Sequence, residues 1–319
     1  MKAKAVTKGP KAPLSKRLKR DWHKNKWKYI MVLPVLIYLM LFCYKPMYGL
    51  VIAFKDYKIT RGIEGSNWSN PWYKWFLNFF TDPYFGRLLK NTFMISGLTI
   101  LFGFPAPIIL ALMINEVKNS AFKRTVQTIT YMPYFISMVV LCGLLKTFSM
   151  QDGLFSQIAT VFGGKAQNFL ANPNYFRTIY VLSDIWSGIG WNSIIYLAAL
   201  SSIDQEQYEA ARVDGANRFQ QMLHITLPGL VPTIMILFIL RMGNILNVGY
   251  EKILLLYNSA TYSTADVIST YTYRLSFGGS GNPMYSKSTA IGLFNTIINV
   301  FFLMLTNMIS KKATDAGLF

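Results

Sequence analysis

The chain has 319 residues, of which 52% are hydrophobic and only 14% are charged. Soluble domains carry about 25% charged residues, so this composition excludes an ordinary soluble protein. The formal net charge is +18, but the basic residues concentrate ahead of the first apolar stretch. They offer no folded basic surface with base-stacking aromatics, which argues against nucleic acid as a partner. We predict an all-α membrane protein.

Residues 1–28 form a basic tail that contains 11 of the 32 lysines and arginines. Such a cluster beside a first span places the tail in the cytoplasm by the positive-inside rule, and it can contact anionic membrane lipid. Trp22 and Trp27 fit anchors at the membrane interface. The basic region and the apolar run are too long for a secretory signal peptide, and no small-residue cleavage site follows.

Six apolar stretches of about 20 residues, the length that crosses a bilayer, follow this tail. They are predicted at 30–51, 92–114, 128–148, 176–200, 227–246 and 290–309, within a six-span domain over 29–310. An even number of spans returns the C-terminal tail, 311–319, to the cytoplasm, and Lys311 and Lys312 agree with that side. Long outer connections are predicted at about 52–90 and 247–287.

The first outer connection is rich in tryptophan and phenylalanine, which fits an amphipathic helix at the outer interface. A docking surface for an extracellular partner is the alternative. The second connection is polar and aromatic, and loops of this length are usually functional or disordered. Its glycine-rich stretch at 278–283 lacks the Gly-Lys-Ser/Thr ending of a phosphate-binding loop.

The connection between the fourth and fifth spans, about 204–217, is predicted to form a short cytoplasmic helix. Asp204 followed by Gln207 has the spacing of a capping box. Ala211 and Gly215 are four residues apart, so they are expected on one face that another surface can approach closely. A second short helix at 218–224 then leads to Pro228 in the first turn of the fifth span.

The full pattern of this connection is Glu-Ala-Ala at 209–211, three residues, Gly215, nine residues, and Ile-x-Leu-Pro at 225–228. Every position matches the signature of the integral permease subunits of ATP-binding-cassette (ABC) importers, which the chain resembles over roughly 30–310. Less specific stretches resemble the permeases of the lipoprotein-linked polysaccharide and complex-oligosaccharide branch. These stretches are 46–49, 54–57, 131–137, 265–268 and 270–271.

The resemblance implies six transmembrane helices in the type I ABC importer permease fold, with a cytoplasmic coupling helix, in the bacterial plasma membrane. It implies a second permease subunit, two cytoplasmic ATPase subunits that bind ATP and Mg²⁺, an extracellular solute-binding protein and an oligosaccharide substrate. This chain would hold no cofactor and would not be an enzyme. The residues expected to couple it to the ATPase are Glu209, Ala210, Ala211, Arg212, Asp214, Gly215, Ile225, Leu227 and Pro228.

Sugars are held by hydrogen bonds and ring stacking, so aromatic and amide side chains of the last three spans are candidates for the substrate path. Polar groups at membrane depth usually face protein or water. Asparagines also bond one helix to another, and a tryptophan can face lipid. The candidates are Trp186, Trp191, Asn192, Tyr196, Asn244, Asn247, Asn295 and Asn299.

Arg241 is a fixed charge near the outer end of the fifth span. It is a further path candidate that could contact an acidic sugar such as a uronate, or it could snorkel outward. Pairing with Glu251 or Asp184 is the preferred interpretation.

Other classes of function find less support in the sequence. His23 and His224 have no neighbours at metal-ligand spacing, and no catalytic constellation is present. The carboxylates near the spans are too few for a proton relay, which weakens the alternative of an ion-coupled secondary transporter. An ABC permease for a substrate other than a sugar remains a second alternative.

Overall fold

The computed structural model describes residues 14–278, 283–314 and 317–318. Regular structure in these residues is helical, apart from one isolated β-bridge between Lys55 and Trp68. The first 13 residues of the predicted basic tail lie outside the described part of the chain, as do 315, 316 and 319 of the predicted C-terminal tail. Residues 279–282 of the predicted glycine-rich stretch lie outside it as well.

The α-helices of the described residues follow one another closely along the chain. They are α1 (Leu14–Tyr38), α2 (Lys45–Met47), α3 (Lys74–Phe80), α4 (Phe85–Leu98), α5 (Pro105–Glu116), α6 (Ser120–Tyr131), α7 (Met138–Ser149), α8 (Leu154–Val161), α9 (Pro173–Ser201), α10 (Gln205–Val213), α11 (Arg218–Gln221), α12 (Leu227–Met242), α13 (Tyr250–Leu256), α14 (Tyr262–Ala265), α15 (Ile268–Phe277) and α16 (Tyr285–Thr314). Turns of π-helix at Leu39–Tyr44, Thr99–Gly103 and Met222–Thr226 join α1 to α2, α4 to α5 and α11 to α12.

In the described part of the chain, five helical stretches are long and apolar enough to cross a membrane. They are Lys24–Phe54, Phe85–Glu116, Met138–Val161, Arg218–Met242 and Tyr285–Thr314. The fourth predicted span corresponds to α9, which is not among these five. Its 29 residues extend about 43 Å at 1.5 Å per residue, but polar side chains such as Asp184 and Asn192 make it less apolar. This helix packs against α5, α6, α12 and α14, although Asp184 is half-buried and Asn192 is exposed.

The third predicted span, 128–148, is wrong in its position. The chain leaves α6 at Tyr131, forms a 3₁₀ turn at Met132–Phe135 and becomes extended at Ile136. Pro133 lies in this turn, and proline cannot supply the N–H that a continuous helix needs. Ser137 then caps α7, its hydroxyl accepting a hydrogen bond from the Val140 N–H at 3.4 Å. The apolar stretch therefore begins at Met138, and α6 is a separate helix packed on α9.

The first span packs little against the rest of the chain. Its most apolar window, within Lys24–Phe54, has no buried residue. The preceding part of α1 is set off by a kink at Asn25, where φ is −121°. Its main contacts with the rest of the chain are those of the 3₁₀ turn at Tyr48–Phe54 with α16 and α3, where Ala53 is fully buried. Most of the large apolar side chains between Ile30 and Leu50 are exposed.

The two long connections are mostly ordered into helices, and buried ion pairs join them. Asp82 contacts Lys287 Nζ at 2.6 Å and accepts a hydrogen bond of 2.6 Å from the Tyr271 hydroxyl. Asp266 is fully buried and pairs with Arg274 at 2.7 Å and with Arg87 at 3.4 Å. These contacts fix α15 and the start of α16 against the segment that leads into α4.

Candidate functional site

A short exposed helix, α10, lies where the sequence predicts one. Its N-cap is Asp204, whose carboxylate accepts a hydrogen bond from the Glu206 N–H at 3.0 Å. The predicted capping box with Gln207 is not formed. A complete capping box occurs instead at the next helix, where Asn217 and Gln220 exchange hydrogen bonds of 2.9 and 2.8 Å.

Gly215 lies beyond the end of α10, so the predicted shared face with Ala211 is wrong. Its φ of +76° is in the left-handed region that favours glycine. The Gly215 N–H donates to the Arg212 carbonyl at 3.1 Å, and the Ala216 N–H donates to the Ala211 carbonyl at 2.8 Å. These two bonds form a Schellman motif, the usual way of ending a helix at glycine. A Cβ built on Gly215 would meet no atom of this chain within 4 Å.

The predicted coupling residues between 209 and 215 lie on α10 and the turn after it. Two large apolar residues outside that prediction are nearby in sequence: Val213 in α10 and Phe219 in α11. Glu209, Ala210, Arg212, Asp214 and Gly215 are exposed, whereas Ala211 is half-buried. Val213 is 89% exposed and Phe219 is 64% exposed. Large exposed apolar side chains beside charged ones are typical of a protein-binding surface. Val213 lies inside the matched signature, which could have identified it.

The rest of the signature lies at the base of α12. Ile225 and Leu227 are half-buried, and Pro228 is exposed in the first turn of the helix. Thr226 is 1% exposed, and its Oγ1 lies 3.0 Å from the Tyr208 hydroxyl of α10. This contact joins α10 to Thr226, the residue that directly precedes α12.

A cavity of about 500 Å³ lies between α9, α12 and the junction of α4 with α5. Five of the predicted path residues line it: Asn192, Tyr196, Arg241, Asn244 and Asn247. A second cavity of about 220 Å³ shares Asp184 and Arg241 with the first. The two cavities together form one space, lined by both polar and apolar side chains, beside the last turn of α12, which contains Arg241.

The other four predicted path residues lie away from this space. Trp191 stacks on Tyr134 with ring centroids 4.6 Å apart, so it packs on the turn after α6. Trp186 lines an apolar groove against α7 and α8. The Asn299 side chain accepts a hydrogen bond from the Leu246 N–H at 3.0 Å and bonds one helix to another segment. Asn295 lines neither cavity.

The charges of the cavity differ from the preferred sequence interpretation. Among the described residues, Arg241 has no carboxylate within 4 Å, so pairing with Asp184 or Glu251 is not formed. Asp184 instead contacts Lys252 Nζ at 3.5 Å. Lys252 was not among the predicted path residues, since nothing in the pattern around α13 indicates that this side chain is buried.

Long apolar helices, a cavity between them that polar side chains partly line, and a short exposed helix on a connecting segment together fit a membrane-embedded transport subunit. Residues 103–315 match the family described as binding-protein-dependent transport system inner membrane component, and the chain belongs to this family.

Similar known proteins cover nearly the whole chain. Protein LplB of Bacillus subtilis (strain 168) is 43% identical over 95% of this chain and 92% of its own length. The polygalacturonan/rhamnogalacturonan transport system permease protein YteP of the same strain is 42% identical over 95% and 94%. A bacterial alginate ABC transporter, solved in complex with an alginate pentasaccharide-bound periplasmic protein, contains a chain that is 44% identical, with a TM-score of 0.85 over 96% of this chain and 99% of that one.

These findings establish the class of the protein. It is a permease subunit of an ABC importer with the type I fold, a membrane-embedded transport component and not an enzyme. The family works with a solute-binding protein. The alternative of an ion-coupled secondary transporter receives no support from any of these similarities.

Proposed function

We propose that this chain passes acidic oligosaccharides through the cavity between α9 and α12. The observation that carries the proposal is Arg241, a guanidinium that lines this cavity without a carboxylate partner in the described part of the chain. Arginine binds carboxylates through two parallel hydrogen bonds, which a uronic acid can accept. The amides of Asn192, Asn244 and Asn247 supply both donors and acceptors for sugar hydroxyl groups.

The names of similar proteins support an acidic cargo. YteP is described as a polygalacturonan/rhamnogalacturonan transport permease, and the similar structure belongs to an importer of the acidic polysaccharide alginate. Both polygalacturonan and alginate carry a carboxylate on each uronic acid unit. An unpaired cation in the path would favour such a chain over a neutral one of the same length.

The driving force is proposed to come from other subunits. The exposed charged residues of α10, together with the apolar side chains of Val213 and of Phe219 in α11, are suited to insertion in a groove of an ATPase that binds ATP and Mg²⁺. Movement of α10 would then reach α12 through Tyr208 and Thr226, so that the cavity opens alternately to the two sides of the membrane. In this proposal α10 and both chain termini lie in the cytoplasm, and the positive charge of the basic tail supports that side.

The remaining proposed partners are a second permease, two ATPase subunits and a binding protein that delivers oligosaccharide outside. The first span supports the second permease, because its apolar window has no buried residue in this chain. The proposed domains are the basic tail 1–28, the six-span domain 29–310 and the tail 311–319.

Replacing Arg241 tests the proposed cargo. We expect Arg241→Gln to weaken binding of a uronate pentasaccharide by roughly 10- to 100-fold, because a hydrogen bond to a charged group contributes about 1.5–3 kcal/mol. Arg241→Lys keeps the charge and should lose less. The measurement is equilibrium binding to the purified complex of permeases and ATPases without the binding protein, so that only the path contributes to selectivity.

The matched control ligand is the same pentasaccharide with its carboxyl groups reduced to alcohols. Its affinity should change little in Arg241→Gln. Equal losses for the acidic and the reduced ligand would show that Arg241 does not read the carboxylate. ATP-driven uptake into proteoliposomes that contain the binding protein should show the same order of variants.

A further inference from the structure

Lys252 is a buried cation that the proposed path does not use directly. Its side chain is 2% exposed, on helix α13. The Nζ atom donates a hydrogen bond of 3.0 Å to the Tyr180 carbonyl and lies 4.5 Å from the centroid of the Tyr180 ring. Burial of an ammonium group is costly unless such partners compensate for lost water. Because these partners compensate for the burial, we expect the charge of Lys252 to have a specific role in the folded protein.

The third partner of Lys252 is Asp184, which belongs to the cavity. Its side chain is 42% exposed, and one carboxylate oxygen lies 3.5 Å from Lys252 Nζ. Asp184 and Arg241 both line the larger and the smaller cavity. A carboxylate and a guanidinium that line the same cavities attract each other and can form a bidentate pair on contact. Here that pair is absent.

We infer that Lys252 is a positioning residue for substrate specificity: it holds Asp184 against α13 and so leaves Arg241 free to bind a carboxylate of the substrate. This inference rests on the proposed function, since it concerns the same cavity. The three side chains carry +1, −1 and +1, a sum of +1 that an acidic sugar complements. Without Lys252 the sum is zero, and Asp184 becomes an intramolecular competitor of the substrate.

The competition has a specific consequence for two variants. Lys252→Gln removes the charge but keeps an amide that can donate to the Tyr180 carbonyl, so the link between α13 and α9 is retained. Asp184 is then released towards Arg241, and affinity for the acidic ligand should fall. Lys252→Gln/Asp184→Asn also removes the competing carboxylate, so Arg241 is free again and the affinity should return. A purely structural role for Lys252 predicts no such recovery.

The experiment measures binding of the uronate pentasaccharide and of its carboxyl-reduced counterpart to the full complex without binding protein. We expect Lys252→Gln to lose about tenfold in affinity for the acidic ligand and little for the reduced one. The double variant and Asp184→Asn should both lie within about threefold of the unmodified complex for the acidic ligand. Equal affinities of Lys252→Gln and the unmodified protein, or a double variant as defective as Lys252→Gln, would overturn the inference.

Failure of this inference is distinguishable from failure of the proposed function. If Arg241→Gln retains the preference for the acidic ligand, the proposed cargo site itself is wrong. If Arg241→Gln loses the preference but Lys252→Gln keeps it, only the positioning role is wrong. Should Lys252→Gln fail to assemble, Lys252→Met removes the same charge with a side chain of similar length. It must lose affinity for the acidic ligand, and unchanged affinity would overturn the inference.

Discussion

Asp82 shows how a single carboxylate joins the two long connections of the chain. Its side chain is 8% exposed, and Lys287, at 2.6 Å, is 7% exposed. Burial alone would raise the pKa of Asp82, but hydrogen bonds from Lys287 and Tyr271 outweigh it and lower the pKa below its ordinary value. A carboxylate with a lowered pKa contributes stability that is complete above the unfolded value of about 4 and is lost as the pH falls further.

We expect Asp82→Asn to lower the stability of the purified protein by about 3–5 kcal/mol, because it leaves the buried Lys287 without its counter-charge. Its stability should also fall less than that of the unmodified protein as the pH drops below about 4. Asp56→Asn is the matched control, since Asp56 and Lys74 are 38% and 41% exposed, and an exposed pair contributes only about 0–1 kcal/mol. Thermal unfolding in detergent measures both, and similar losses for the two variants would contradict the prediction.

The chemistry of the cavity was more predictable than its geometry. Amide and charged side chains on the last spans are expected to face protein or water, and five of the nine path candidates do line the cavity. Asn192 faces it, whereas Trp191, the preceding residue, is turned by about 100° and packs on Tyr134. Which of two neighbours faces the path depends on what α9 packs against, and a single sequence does not contain that information.

At the scale of elements, Gly215 marks the end of the coupling helix. The sequence motif requires glycine there, and two physical reasons can explain it: the positive φ, or the close approach of another subunit. The structure supplies the first reason, since φ is +76° and a Cβ would meet no atom of this chain. The second reason concerns close contact with the ATPase, and a variant is needed to distinguish it from the effect of the positive φ.

Replacing Gly215 by asparagine or by alanine distinguishes the effect of backbone conformation from that of close approach. Asparagine tolerates the left-handed conformation, whereas placing alanine in it costs about 1 kcal/mol or more of free energy. If conformation is decisive, Gly215→Asn should retain most ATP-driven uptake and Gly215→Ala should lose several-fold, with both variants inserted in the membrane at normal levels. The ratio of transport to ATP hydrolysis in proteoliposomes is the measurement. The opposite order, with the smaller alanine tolerated, would instead indicate close approach of the partner.

The helices themselves were predicted well where apolarity and length decide. The spans around α4–α5, α12 and α16 lie close to their predicted positions. The third span was misplaced because a sum of hydrophobicity over 128–148 ignores the break that Pro133 and Ser137 impose. The first connection was expected to contain an amphipathic helix, and α3 lies there; the second was expected to be a long loop, yet it contains α13 to α15. Ion pairs such as Asp82 with Lys287 join the two connections, and these residues are close together only in the fold.

At the scale of the whole molecule, the first span has too few contacts in this chain to explain its position. It extends over 31 residues, and its apolar window has no buried residue. Lipid is as apolar as leucine, so exposure to lipid costs nothing and does not by itself require a partner. However, the main contacts of the span with the rest of the chain are at Tyr48–Phe54, and a helix with contacts at one end can tilt. A second permease packed along its free face would fix it.

Photocrosslinking distinguishes lipid from protein on that face. Phe42 is 67% exposed near the middle of the span, and an exposed position can accommodate the added benzoyl group of benzoylphenylalanine. In membranes that contain the assembled transporter, we expect irradiation to shift the 36.4 kDa chain by the mass of one further permease. The control is Phe294, which is half-buried and packs on Phe79 at 5.6 Å, so its product should stay within the chain. Phe42 adducts with lipid alone would place the second permease on another surface.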